Sequence, residues 1–129
     1  MSADRLQAEI VLLKRRYPEL EVRDDGWCRF ASYALPAGWS SVEVEVAFRI
    51  PENLPGEIPY AFWTRPILTL TGGGSPTNAD GPPIETVFGP GWQQWSWQLE
   101  DWKPGDTPEG GSNMVDHVRS IGYRLKELN

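Results

Sequence analysis

The sequence predicts one α+β domain with an antiparallel sheet and with helices at the ends of the sheet or on one of its faces. Two amphipathic segments, one near each end of the chain, carry apolar residues at helical spacing. Between them, residues 41–50 alternate strictly between apolar and polar side chains, which is the pattern of a half-buried strand. Other short apolar runs, separated by turn residues, complete a meander of about four strands.

The first helix is predicted from Leu6, Ile10, Leu13 and Tyr17, which form one apolar face. Ser2 can cap its start. The proline that follows Tyr17 ends the helix, because a residue that precedes proline is disfavoured in the helical region.

The alternating segment 41–50 is the clearest strand. Its residues on one face are Val42, Val44, Val46 and Phe48. Glu43 and Glu45 resemble paired carboxylates, but alternation alone explains them as a solvent-facing row. Residues 72–91 are rich in glycine and proline and have no period, which predicts a long irregular loop. The last helix begins after a cap at Ser112 or Asn113. Its apolar stripe comprises Met114, Val118, Ile121, Leu125 and Leu128.

Composition narrows the class of protein. A chain of 129 residues fits a single domain over residues 1–129, and its net charge of −6 argues against nucleic-acid binding. No apolar run is long enough to span a membrane, and the N-terminus has no apolar core of a signal peptide. A single cysteine fits a reducing compartment, so we expect a cytoplasmic protein. One cysteine and one histidine make a metal site improbable, and we expect no cofactor.

Three loose motifs follow one another along the chain. Residues 51–63, PENLPGEIPYAFW, look like a "YPxxPPxxxF" turn and strand. Residues 75–78, SPTN, look like a degraded "HPN", and residues 101–104, DWKP, look like "xWxP". In this order the motifs resemble those of the ubiquitin-conjugating (UBC) fold. The glycine triplet 72–74 and the tryptophan run 92–97 are most similar to prokaryotic UBC-like proteins from bacterial ubiquitin-like conjugation operons linked to phage defence. The degenerate motif residues are Ser75, Pro76, Asn78, Trp102 and Pro104.

The resemblance also implies where this chain departs from the family. Conjugating enzymes keep their thioester cysteine between "HPN" and "xWxP", but residues 79–101 contain no cysteine. The resemblance therefore implies a catalytically inactive member that binds a ubiquitin-like protein or a conjugating or activating enzyme. Two alternatives stay open. One is an active transfer enzyme that uses Ser96 or Cys28, and the other is an adaptor of the related RWD type.

The individual chemical candidates are weak in sequence. Cys28 lies on a predicted strand, where a cysteine commonly acts as a small hydrophobe, and Arg29 points to the opposite face. His117 follows Asp116, but adjacent helical residues do not face each other, which favours a packing or surface role. Ser96 has no histidine nearby in sequence to activate it.

The partner-binding candidates come from three segments. In the first helix they are basic residues, whose ordinary role would be to complement the helix dipole. In the turn 51–59 they are apolar, and in the run 92–97 they are tryptophans that suit either a core or an interface. These candidates are Arg5, Lys14, Arg15, Arg16, Leu54, Ile58, Trp92, Trp95 and Trp97.

Overall fold

The computed structural model describes residues 3–79 and 81–129, and it contains two α-helices and six strands in that part of the chain. The predicted cap Ser2 lies outside the described residues. In chain order the elements are α1 (Ala3–Arg16), β1 (Glu21–Val22), β2 (Trp27–Ala34), β3 (Glu43–Arg49), β4 (Tyr60–Arg65), β5 (Ile84–Thr86), β6 (Gly89–Gln98), a 3-10 turn (Pro108–Gly110) and α2 (Met114–Lys126).

The strands form one antiparallel sheet in the order β1-β2-β3-β4-β6-β5. The predicted α+β architecture with a helix at each end is confirmed, with six strands instead of about four. The two additional strands, β5 and β6, lie partly within the segment predicted to be irregular. Trp92 and Trp95 of β6 are both fully buried, although they lie on opposite faces of the strand. A strand that is buried on both faces has no alternating pattern, which explains why sequence periodicity did not reveal it.

One face of the sheet forms the core with both helices. Val44, Val46 and Phe48 of β3 are buried there with Leu13 of α1. The predicted stripe of α2 joins the same core through Met114, Val118, Ile121 and Leu125.

Two residues depart from the predicted core. Val42 is 84% exposed because β3 begins one residue later, at Glu43. Leu128 is 46% exposed because α2 ends at Lys126. Residues beyond the end of a strand or helix no longer follow its facing pattern.

The start of α2 is fixed by two sets of hydrogen bonds. Asn113 is the cap, and it exchanges side-chain-to-backbone bonds with Asp116 in a capping box. Glu9 of α1 also contributes, since its Oε1 accepts a 2.9 Å hydrogen bond from the backbone N–H of Met114. A carboxylate at a helix N-terminus is favoured by the free N–H groups there.

The β5–β6 hairpin folds back over the other face of the sheet. Gly89 and Gly91 have φ values of +107° and +90°, which allow this bend. Arg65 of β4 donates to the carbonyl oxygens of Phe88 at 3.0 Å and of Pro90 at 3.1 Å. The Phe88 ring thereby lies 6.3 Å from that of Trp27 on β2. The chain thus covers part of the outer face of its own sheet.

Candidate functional site

The two segments to which the resemblance assigned a site lie side by side. The backbone N–H of Ser96 donates a 2.6 Å hydrogen bond to the carbonyl oxygen of Asn78. Ser75 and Asn78 are exposed and Pro76 is buried, so the degenerate motif is anchored by its proline. Asn78 has a φ of +70°, a left-handed conformation that asparagine tolerates better than most residues.

Ser96 lies on an irregular part of β6. Trp95 and Gln98, three residues apart, pair with Phe62 and Tyr60, which are only two apart, so β6 contains one extra residue here. Ser96 is exposed, and its hydroxyl makes no side-chain hydrogen bond to any residue within 3–79 or 81–129. A serine without a hydrogen-bonded base keeps its proton and is a poor nucleophile.

The Asn78 side chain is held by a buried arginine of α2. The Nε of Arg124 donates to Asn78 Oδ1 at 3.1 Å, and its Nη2 donates to the Thr77 carbonyl oxygen at 2.7 Å. The guanidinium also lies 5.0 Å from the ring centroid of Trp95. Arg124 is 1% exposed, and desolvation lowers its pKa, although an arginine stays charged in proteins.

Sequence reasoning gave Arg124 no role. The signal that could have identified it is a charge within an apolar stripe, because Arg124 lies beside Ile121 and Leu125 on the inward side of α2. A buried arginine needs acceptors, and the carbonyl groups of the neighbouring loop provide them.

Cys28 lies on β2 and its side chain is part of the hydrophobic core. It is 0% exposed, and its Sγ lies 3.6 Å from the Gly26 carbonyl oxygen, to which the thiol donates a weak bond. Burial, followed by the negative charge of Asp25, raises the pKa of the thiol to about 12. Arg29 points to the outer face, where it pairs with Glu21 and Glu45 at 2.7 and 2.8 Å, and it does not activate the thiol. The prediction that Cys28 is a buried strand residue agrees with this position.

His117 is also a packing residue. It is fully buried beside Phe48, and its Nε2 lies 3.2 Å from the carbonyl oxygen of Ala61. Because a carbonyl only accepts, Nε2 carries the proton. Nδ1 is buried without a hydrogen-bond partner among the described residues. Desolvation lowers the pKa of His117 to about 4, so the ring is neutral at pH 7.

The tryptophans of β6 divide between core and surface. Trp92 and Trp95 are fully buried, so they contribute to packing and present no free surface to a partner. The indole N–H of Trp95 donates to Thr64 Oγ1 at 2.9 Å. Trp97 is half-buried and its indole N–H donates to Ser120 Oγ at 3.0 Å. Of the three predicted interface tryptophans, only Trp97 retains an exposed edge.

Arg5 is another predicted surface residue that the structure places inside. It is 7% exposed, its Nε pairs with Glu9 Oε2 at 2.9 Å, and its Nη1 donates to the Gly105 carbonyl oxygen at 2.9 Å. Burial raises the pKa of Glu9, against the hydrogen bonds from Met114 and Arg5. Arg5 therefore braces α1 against α2 and the loop before it.

The other basic residues of α1 are exposed. Lys14, Arg15 and Arg16 occupy its last turn. Lys14 Nζ donates to the Leu20 carbonyl oxygen at 2.7 Å, and the Arg16 guanidinium lies 4.9 Å from the Tyr17 ring centroid. These contacts fix the segment that follows α1 and leave the cationic groups at the surface.

The proline-rich turn 51–59 has an inner and an outer side. Leu54 is 0% exposed and packs in the core, which removes it from the predicted partner-binding set. Ile58 is 37% exposed. The indole N–H of Trp102 donates to the Pro55 carbonyl oxygen at 2.9 Å, so the "xWxP" segment fastens this turn.

Residues 3–79 and 81–129 contain neither a cluster of metal-ligating side chains nor a membrane-spanning helix. No group of three or more His, Cys, Asp or Glu side chains there is arranged to hold a metal ion. No helix there is long and apolar enough to cross a membrane.

An antiparallel sheet with two helices packed on one face, and with an SPTN segment against the strand that precedes Trp102, defines a protein with a UBC-like fold. The model of prokaryotic E2 family E, a family of the ubiquitin-conjugating class, matches residues 7–126. The chain belongs to this family. No match to the chain was found among curated proteins or among solved structures.

Proposed function

We propose that the protein is a catalytically inactive E2-like protein that binds a ubiquitin-like protein, an active conjugating enzyme, or both, in a bacterial modification pathway of antiphage defence. One observation carries the proposal. The only cysteine of the chain is inside the sheet, while residues 79–101, where the family resemblance puts the thioester, contain none.

Thioester transfer needs an accessible thiolate. With a pKa of about 12, only about one Cys28 thiol in 10⁵ is ionised at pH 7. The side chain has no exposed surface through which a bulky acyl group could reach it. Reaction at Cys28 would therefore require the hydrophobic core to open.

A second candidate function is ester transfer through Ser96. The observation that favours it is position, since Ser96 is exposed and bonded through its backbone to Asn78. The missing step is deprotonation of the hydroxyl, because no described side chain hydrogen-bonds to it. Partner binding needs no such step and is therefore the preferred function.

The deciding experiment combines binding with transfer. The protein is incubated with ATP and with the activating enzyme and ubiquitin-like protein of a bacterial conjugation operon, and an active conjugating enzyme serves as positive control. We expect co-elution with the ubiquitin-like protein or the conjugating enzyme and no covalent adduct on denaturing gels. An adduct that Ser96→Ala abolishes would establish the second function. Absence of binding to every neighbouring gene product would refute the first and favour an RWD-type adaptor.

The exposed end of α1 is the best remaining docking candidate from the sequence. We expect Arg15→Glu/Arg16→Glu to weaken binding to the pathway partner, because two exposed cations are reversed. Lys103→Glu/Lys126→Glu is the matched control, since it changes the net charge equally at exposed sites elsewhere. Equal weakening by both variants would show a general charge effect and remove α1 from the interface.

We expect the protein to act in the cytoplasm.

A further inference from the structure

A groove of about 460 Å³ lies between the outer face of the sheet and the turn 51–59. Trp27 of β2 and Trp63 of β4 form one side, and the turn forms the other. The volume lies in the usual range of ligand-binding clefts. Of its lining residues, Ile58 is also a partner-binding candidate from the sequence.

The groove has an aromatic surface. The rings of Trp27 and Trp63 are half-buried, with centroids 4.8 Å apart. Tyr60 and Ile58, which are 52% and 37% exposed, extend this surface to the rim. Half-exposed aromatic residues that adjoin exposed apolar ones are typical of a surface covered by a partner.

The walls of the groove are fixed before anything binds. Leu54 anchors the turn in the core, and the Trp102 indole N–H bonds to the carbonyl oxygen of Pro55. On the opposite side, the Trp63 indole N–H donates to Gln94 Oε1 at 3.3 Å. A preformed groove loses little conformational entropy when a flexible ligand is bound.

The polar groups of the groove define the ligand. Arg49 pairs with Glu52 at 3.2 Å, so their charges offset each other. Glu57 is exposed, lines the same groove and has no ion-pair partner among the described residues, which leaves a net negative charge. The groove thus offers an acidic group and aromatic ring faces.

We propose that this groove binds an extended peptide segment of a partner protein that carries a lysine or arginine next to apolar or proline residues. The apolar side chains of the segment pack on Trp63 and Tyr60. Its cation lies near Glu57 and against an indole ring, an arrangement that combines ion pairing with cation–π attraction. The proposal holds whether or not the partner belongs to a ubiquitin-like pathway.

The test uses two synthetic peptides, Ac-APLKPLA-NH2 and the same peptide with glutamate in place of lysine. Binding is followed by NMR through the backbone and indole signals of the ¹⁵N-labelled protein. We expect the lysine peptide to shift the indole signals of Trp27 and Trp63 with a dissociation constant on the order of 0.1–1 mM. The glutamate peptide should bind at least about fivefold more weakly, because it meets Glu57 with a like charge.

Variants assign the binding to the groove. Glu57→Arg and Tyr60→Ala alter exposed side chains, and each should weaken the lysine peptide at least about threefold. Glu109→Arg is the matched control, since it makes the same charge change at an exposed site on the 3-10 turn and should leave binding unchanged.

The proposal would be overturned by equal binding of both peptides, by shifts confined to other surfaces, or by equal weakening by Glu57→Arg and Glu109→Arg. Displacement of the lysine peptide by an equal concentration of spermidine would also overturn it, because the groove would then recognise a small polycation and not a peptide.

Discussion

Acidification should destabilise the protein through His117, because the folded state holds its ring neutral. Full burial disfavours the charged ring, and a proton on Nδ1 would have no hydrogen-bond acceptor among the described residues. The pKa is lowered from 6.5 to about 4, whereas the unfolded chain keeps the ordinary value. The unfolded state therefore binds more protons between these two values, and stability is lost as the pH falls through that window.

The magnitude follows from proton linkage. Since each pKa unit is worth 1.36 kcal/mol, a pKa moved from 6.5 to about 4 corresponds to about 3 kcal/mol, lost in full only below pH 4. When the pH falls from 8 to 5, His117 lowers the free energy of unfolding by about 2 kcal/mol. This is a large part of the 5–15 kcal/mol typical of a small domain.

The assay is urea denaturation at pH 8, 7, 6 and 5, with His117→Gln as the reference. Glutamine can still donate to the Ala61 carbonyl oxygen and does not titrate. Glu9 titrates in both proteins, and its raised pKa acts in the opposite direction, since its contribution falls as the pH rises. The difference between the two proteins therefore isolates His117. Parallel curves for the two proteins, or a His117 NMR titration near pH 6.5, would refute the reasoning.

Three further outcomes are expected. Iodoacetamide should modify native Cys28 at least about 100-fold more slowly than in 6 M guanidinium, as followed by mass spectrometry, because the thiol is buried and un-ionised; rapid native labelling would contradict its buried position. Arg124→Met should cost about 3 kcal/mol in urea denaturation and Asn78→Ala only about 1 kcal/mol, since the first leaves several carbonyl groups without a donor; equal losses would show that the Asn78 contact dominates. Trp102→Phe should lower the free energy of unfolding by about 1 kcal/mol, because the hydrogen bond to the Pro55 carbonyl oxygen is lost. An unchanged melting temperature, measured by circular dichroism, would contradict that role.

Sequence patterns predicted the elements that have one solvent-exposed face and one buried face. The stripe of α2 and the alternation of β3 are consequences of such half-burial, and both helices and the central strands were predicted from them. β6 was not predicted, because Trp92 is covered by the folded-back hairpin while Trp95 faces the core. That covering depends on contacts such as Arg65 with the Phe88 carbonyl oxygen, which join distant parts of the chain.

The candidate site was predictable only as a set of segments. The order of the motifs predicted that the site would involve the segments of Asn78 and Ser96, and a backbone hydrogen bond joins these two residues in the structure. Burial could not be foreseen at Arg5 or Leu54, because each depends on a tertiary partner. A charged residue near a helix start is usually solvated, but Arg5 is inside, where Glu9 and the Gly105 carbonyl oxygen accept hydrogen bonds from it.

The contacts of Asn78 bear on what the degenerate motif contributes in this chain. Its Oδ1 accepts from Arg124, and its carbonyl oxygen accepts from the Ser96 N–H. Because an arginine cannot be deprotonated in a protein and has no acceptor character, it cannot release Asn78 by titration. The bond occupies the acceptor Oδ1 and leaves the Nδ2 donor of Asn78 without a hydrogen-bond acceptor among the described residues. The bonds of its Oδ1 and of its carbonyl oxygen brace residues 77–78 against α2 and β6, and neither bond depends on a thioester nearby.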